Sequence, residues 1–119
     1  MTETEIAYAA GLIDGEGSVL YTKKHSGDKF GCPSVSMTST TPALINFMQS
    51  NFGGVVCNQK VYKSNHKPSQ VWKVCYDAAI SCLQLTAPYL REPEKLRRAN
   101  LILTKYKAVT KRNGKYSES

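Results

Sequence analysis

Ala9-Ala10-Gly11-Leu12-Ile13-Asp14-Gly15-Glu16-Gly17 decides the fold, and the run occurs once in the chain. Its two acids close a stretch that otherwise lacks polar side chains, with glycines at 11, 15 and 17. Glu5 to Ala10, just before it, carries a helical pattern, and Thr2 with Glu5 has the spacing of a capping box. A helix is expected over about Glu3 to Gly15, with Gly15 and Gly17 breaking it and turning the chain. Carboxylates at a helix C-terminus meet partial negative charge. Something positive is therefore expected at this helix end, with a divalent metal as the leading candidate.

Working outward, Ser18 to Lys24 reads as a strand, His25 to Gly31 as a hairpin loop, and Ser34 to Thr38 as a strand with one wet face. Thr41-Pro42 opens a second helix, where the missing N–H of Pro42 does no harm. Leu44, Ile45, Phe47 and Met48 form its apolar face and Gly53-Gly54 ends it. Val55 to Tyr62 and Gln70 to Tyr76 read as strands joined by the turn-rich segment 63–68. A third helix is expected over about Asp77 to Leu90, offering Ile80, Leu83 and Leu85 to the core, with Pro88 disturbing its last turn. A fourth is expected over about Glu94 to Val109, followed by a basic, flexible tail at 110–119. The order α-β-β-α-β-β-α-α predicts an α+β fold, an antiparallel four-stranded saddle with helices on one face, in a single domain over 1–109.

Parity assigns the sheet's open face. Taking Glu16 as pointing outward puts Ser18, Leu20, Thr22 and Lys24 outside in the first strand, and Ser34, Ser36 and Thr38 in the second. In the third, Val55, Cys57 and Val61 read as the inner set, leaving Asn58, Lys60 and Tyr62 outside. The fourth stays open, with Gln70 and Trp72 on one face and Val71, Lys73 and Cys75 on the other.

The chain has 119 residues, 41% of them apolar, and a net charge of +7. That suits one compact domain with a core. No apolar run approaches the ~18 residues of a membrane span and no signal-peptide pattern appears, so a soluble intracellular protein is expected. Cys32, Cys57, Cys75 and Cys82 form no C-x-x-C pair, and His25 and His66 are not arranged around them. They read as buried or half-buried thiols in a reducing compartment rather than a zinc site. Charge is uneven: residues 1–18 hold four acids and no Lys or Arg, while 95–119 hold eight basic residues against Glu118 alone. Acids facing a generally basic protein suit an enzyme that grips a polyanion and binds metal at one spot.

Tyr8 to Ser18 resembles the signature helix and exit of the LAGLIDADG homing endonucleases, with Ala9 for the leading Leu and Gly15-Glu16 for Ala-Asp. Ala87-Pro88-Tyr89-Leu90 followed by Lys95-Leu96-Arg97-Arg98-Ala99-Asn100-Leu101 is similar to a second segment of single-motif members. The resemblance implies that Glu16, with Gly15, forms the site for the catalytic divalent cation, Mg²⁺ first and Mn²⁺ as the alternative. It implies a structural Asp14, Lys95 near the scissile phosphate, and Ser36 as a polar residue holding water. Glu92-Pro93 lengthens the loop before Lys95.

One motif copy implies a homodimer, with Ala7, Ala10, Gly11 and Asp14 at the seam. The small residues at 7, 11 and 15 recur at four-residue spacing and allow close helix approach. Thr22, Lys24, Ser34, Asn58, Lys60, Tyr62, Gln70 and Lys73 are the candidates for DNA contact, since a β-ribbon fits the major groove. The implied function is a homing endonuclease making a metal-dependent, staggered double-strand break in a long pseudo-palindromic site. The alternatives are an intron maturase with intron RNA as partner, and a relative that binds DNA without cutting it.

Overall fold

A computed structural model describes residues 1–22, 32–59 and 68–113, with Thr22 and residues 106–113 described for the backbone only. The element order is α1 (Glu3–Glu16), β1 (Gly17–Thr22), β2 (Cys32–Ser39), α2 (Pro42–Phe52), β3 (Val55–Asn58), β4 (Gln70–Cys75), α3 (Tyr76–Thr86), a 3-10 turn (Ala87–Tyr89) and α4 (Pro93–Asn113). One open sheet has the order β1-β2-β4-β3, all neighbours antiparallel.

The start of α1 is fixed by Thr2 and Glu5. The Thr2 N–H donates to Glu5 Oε1 at 2.9 Å, and the Glu5 N–H to Thr2 Oγ1 at 3.1 Å. The Thr2 N–H and the Thr2 hydroxyl, both donating to Glu5 Oε1, lower the pKa of the Glu5 carboxyl. α1 runs through Gly15 and stops only at Glu16, one residue later than the glycine pattern suggests. Gly17 is the true boundary, and the reason is steric. A Cβ there would lie 2.9 Å from Ile13 Cα and 3.0 Å from the Ser36 carbonyl oxygen, so only glycine lets β1 leave the helix against β2.

Ala9, Ala10 and Ile13 are buried, and they set α1 on the inner face of the sheet against Val19, Val35 and Met37. Trp72 and Val74 continue this face across β4, packed by Ile45 and Met48 of α2. The buried Trp72 satisfies its one donor by giving Nε1–H to the Gly53 carbonyl at 2.8 Å. Ile80 and Leu83 of α3 join the core as expected, whereas Leu85 is exposed: α3 buries Ala79, Ile80, Cys82, Leu83 and Thr86, and position 85 falls on the opposite side. Pro88 does disturb the end of α3, which tightens to the 3-10 turn. α4 extends to Asn113, four residues past the expected end at Val109.

Parity holds in β1 and β2 and inverts in β3. Val55 pairs with Lys73 and Cys57 with Val71, so both stand on the outer face, while Val56 pairs with the buried Trp72 and packs inward. The expected inward placement of Val55 and Cys57 is corrected accordingly, and Val61 lies outside the described residues. Gly54 carries φ +97° and a Cβ there would meet the Lys73 carbonyl oxygen at 2.5 Å, so β3 enters the sheet in the one register this close approach allows. β4 resolves with Trp72 and Val74 inside and Val71, Lys73 and Cys75 outside. Among the described residues no helix is long and apolar enough to cross a membrane.

Candidate active site

The two ends that matter are the C-terminus of α1 and the first turn of α4, and they hold each other. Asp14 turns its carboxylate onto the chain entering α4, accepting the Arg91 N–H at 2.9 Å and the Glu92 N–H at 3.1 Å. An anion before a helix N-terminus is favoured by the free N–H groups and by the dipole. Glu92 caps the same helix, its Oε2 accepting the Lys95 N–H at 2.6 Å. Lys95 reaches back across the junction, Nζ donating to the Ile13 carbonyl at 3.0 Å and the Asp14 carbonyl at 2.5 Å. The positive charge demanded by the acidic end of α1 is thus supplied by a side chain of the protein itself.

Glu16 is left over. It is exposed, and among the described residues it makes no hydrogen bond or ion pair. It lines an open depression with Thr38, Ser39, Thr40, Thr41 and Ser69. β1 pairs Gly17 with Met37, so the next position outward sets Glu16 opposite Thr38. Ser36 lies two pairs further along, opposite Ser18 and Lys73. The hydroxyls beside Glu16 are therefore those of 38–41 and 69, of which the sequence pattern placed only Thr38, at a strand end, and Thr41, at a helix start. The unbroken run Thr38-Ser39-Thr40-Thr41 was the available signal. Ser39 Oγ already accepts the Thr41 N–H at 3.0 Å, leaving Thr38 and Thr40 as the exposed hydroxyls nearest the β2 end.

The other candidates separate into three groups. Ser34 and Lys73 lie on the outer face with Ser36, although Ser34 is nearly covered. Asn58 and Gln70 lie on the opposite parity, bonded to one another (Gln70 Nε2 to Asn58 Oδ1, 3.3 Å) beyond the edge of the core. The corrected β3 register puts them there. Thr22 ends β1, and its side chain, together with Lys24, Lys60, Tyr62 and residues 114–119 of the tail, lies outside the described residues. At the seam, Ala7 and Gly11 are exposed, whereas Ala10 is buried in the chain's own core and Asp14 is committed to α4. A Cβ at Gly11 or Gly15 would have nothing within 4 Å. Tyr8, also exposed, stands edge-on to Phe47 at 5.1 Å.

No three His, Cys, Asp or Glu side chains cluster at metal-binding range among the described residues. The Glu16 carboxylate and the Gly15 carbonyl are hard oxygen donors of the kind Mg²⁺ prefers, but two donors do not fill the coordination shell of such an ion. The cysteines hold no disulfide; Cys32 and Cys82 are buried, Cys75 is half-buried and Cys57 is exposed, the last against expectation because β3 faces outward there. Burial pushes the Cys82 thiol up to about 12.

An antiparallel sheet with one helix-covered face, entered from a helix that delivers a lone acid to the open face, defines an endonuclease-like α+β fold. The fold is that of the LAGLIDADG homing endonucleases. It is similar to the homing endonuclease I-CvuI in complex with its target in the presence of Ca, with TM-score 0.66 and 22% identity over 86% of this chain and 65% of that one. It is similar to the group I intron-encoded homing endonuclease I-CeuI complexed with DNA, with TM-score 0.57 and 19% identity over 83% and 52%. It is also similar to the archaeal intron-encoded homing endonuclease I-Vdi141I complexed with DNA, with TM-score 0.55 and 21% identity over 75% and 59%. The chain thus spans between about half and two thirds of the length of these proteins. No protein-family model matches the sequence, and no curated protein does.

Proposed function

We propose that the chain is one half of a site-specific, metal-dependent DNA endonuclease that works as a homodimer and makes a staggered double-strand break. The observation that carries this reading is Glu16: an exposed carboxylate, unpaired among the described residues, where α1 meets the open face of a LAGLIDADG endonuclease fold. Structurally similar proteins are DNA endonucleases, and one was determined with its target in the presence of 2 mM Ca.

The strip Ala7, Gly11 and Gly15 supports self-association, because open space at both glycines lets a second α1 come close. Two-fold pairing sets two Glu16 carboxylates near one axis, where their repulsion favours a bound cation. Mg²⁺, held by the Glu16 carboxylate and the Gly15 carbonyl of each copy, would activate water and neutralise charge on the phosphate. The remaining work falls to the chain. Lys95 fixes the last carbonyls of α1, and so the direction in which Gly15 and Glu16 leave the helix, while placing a positive charge beside the site. Thr38, with Ser36 behind it, offers hydroxyls to orient water next to Glu16. Lys73 on the sheet and the basic residues of 95–119, with Lys24, Lys60 and Tyr62, supply contacts to the duplex. A two-fold enzyme reads a roughly palindromic site, one half per copy.

The test is sedimentation of the full chain alone and with duplex, followed by sequencing of ends released from a randomised DNA library in Mg²⁺. The reading expects a dimer and one recurrent, staggered, near-palindromic cut site. A monomer on DNA sinks the two-fold arrangement; a preference for structured RNA over every duplex sinks the nuclease assignment.

A further inference from the structure

The outer sheet face is poorly suited to gripping phosphates. Among the described residues Lys73 is its one cation, and apolar side chains occupy much of the rest. Val55 is 63% exposed and Leu20 is 40% exposed. Val55 pairs with Lys73, and Cys57, also exposed, pairs with Val71 on the same side, so Val55, Cys57 and Val71 make one contiguous patch along β3 and β4. The register fixes positions 55, 57 and 71 outward, but the fold does not require apolar side chains there, since β3 supplies the core from Val56. Thr38, opposite Val71, and Ser36, opposite Lys73, stand beside it on β2, and a hydroxyl can donate or accept against any base.

A duplex is the occupant that the charge favours, since the chain carries +7 overall. In the major groove the one apolar group offered by a base edge is the 5-methyl of thymine, and apolar side chains are its ordinary partners. Resting on the DNA-binding reading above, we infer that the Val55, Cys57 and Val71 patch reads thymine methyl groups. Each half-site then carries T·A or A·T pairs beneath the β3–β4 edge, with Leu20 making a separate methyl contact at the β1 edge. Sequence choice at these positions comes from packing a methyl group, while Lys73, Ser36 and Thr38 add hydrogen bonds between them.

The experiment uses the full chain and duplexes selected by binding from a randomised library without divalent metal. Each thymine of the selected duplex is then replaced singly by deoxyuracil, which removes the methyl and nothing else. Loss of one buried methyl contact predicts about fourfold weaker binding at two or three thymines per half-site. Val55→Ser and Val71→Ser remove both γ-methyls at outer-face positions where no core packing is lost. Each should abolish the uracil penalty at one thymine while leaving the others. Uracil substitution without effect at every thymine overturns the inference while leaving DNA binding intact. Uracil penalties that neither variant alters also overturn it, because the methyl groups are then read elsewhere on the chain. Failure to select any duplex removes the DNA-binding reading itself, a result plainly different from binding without methyl dependence.

Discussion

Replacing Lys95 with Met tests whether the lysine serves the junction or merely decorates a helix start. Met keeps much of the stem and its packing but removes the ammonium that donates to the Ile13 and Asp14 carbonyls. Hydrogen bonds from a charged group contribute about 1.5–3 kcal/mol each in favourable settings, and a cation on a helix C-terminus about 0.3–2 kcal/mol. Lys95 is only half-buried and regains side-chain entropy when freed, so the low end applies: a net loss of about 1–2 kcal/mol. For a chain of this size that lowers Tm by roughly 4–8 °C. The alternative predicts the opposite sign. A lysine in the first turn of α4 that touched nothing would oppose that helix's own dipole, and its removal would stabilise by about 0.3–1 kcal/mol. Urea unfolding at fixed protein concentration, followed by far-UV circular dichroism and the fluorescence of the single Trp72, decides between them. An unchanged or raised midpoint for Lys95→Met would refute the clamp.

Asp14→Ala removes both carboxylate bonds to the start of α4 and is expected to destabilise by about 2–3 kcal/mol in the same assay. Gly17→Ala forces a Cβ into Ile13 and the Ser36 carbonyl and should lower stability by about 1–3 kcal/mol. Gly15→Ala meets nothing and raises helix propensity, so the isolated chain gains up to about 1 kcal/mol. If Gly15 lies in a dimer seam, sedimentation will show weaker self-association in that stabilised variant. Cys82, whose thiol burial pushes up to about 12, stays protonated in the fold while the unfolded thiol ionises near 8.5. Its contribution is complete below about pH 8.5 and declines as pH rises toward 12, so a Cys82→Ala variant should show a shallower alkaline loss of stability. Under native conditions at neutral pH, Cys57 should be alkylated and Cys82 should not.

The element order was legible because each boundary has a local cause: the Thr2–Glu5 box, Pro42 opening α2, the glycines at 53 and 54, and Pro88 closing α3. What escaped was decided at a distance. The run Val55-Val56-Cys57 has no polar position to mark its wet face, Asn58 after it pointed to the wrong one, and the register follows from the Gly54 approach to Lys73. Ala10 looked available for a seam because small residues suit either a partner or the chain's own sheet, and α1 packs it on the sheet. Lys95 was identified by resemblance as a residue near phosphate. Its hold on carbonyls 82 and 81 residues away has no counterpart in local spacing. Glu16 is the converse case. The pattern picked it out, and its isolation among the described residues leaves the function to be supplied by what binds it.

The central claim rests on that carboxylate. Wild type and Glu16→Gln should be compared on the same selected duplex, with binding measured without metal and cleavage measured in Mg²⁺. The account predicts that Glu16→Gln binds the duplex as well as wild type or better, yet cuts it at least a hundredfold more slowly, as roughly expected when a group essential to transition-state stabilisation is removed. Equal cleavage by the two proteins, or tight binding by wild type with no cleavage at all, would contradict it.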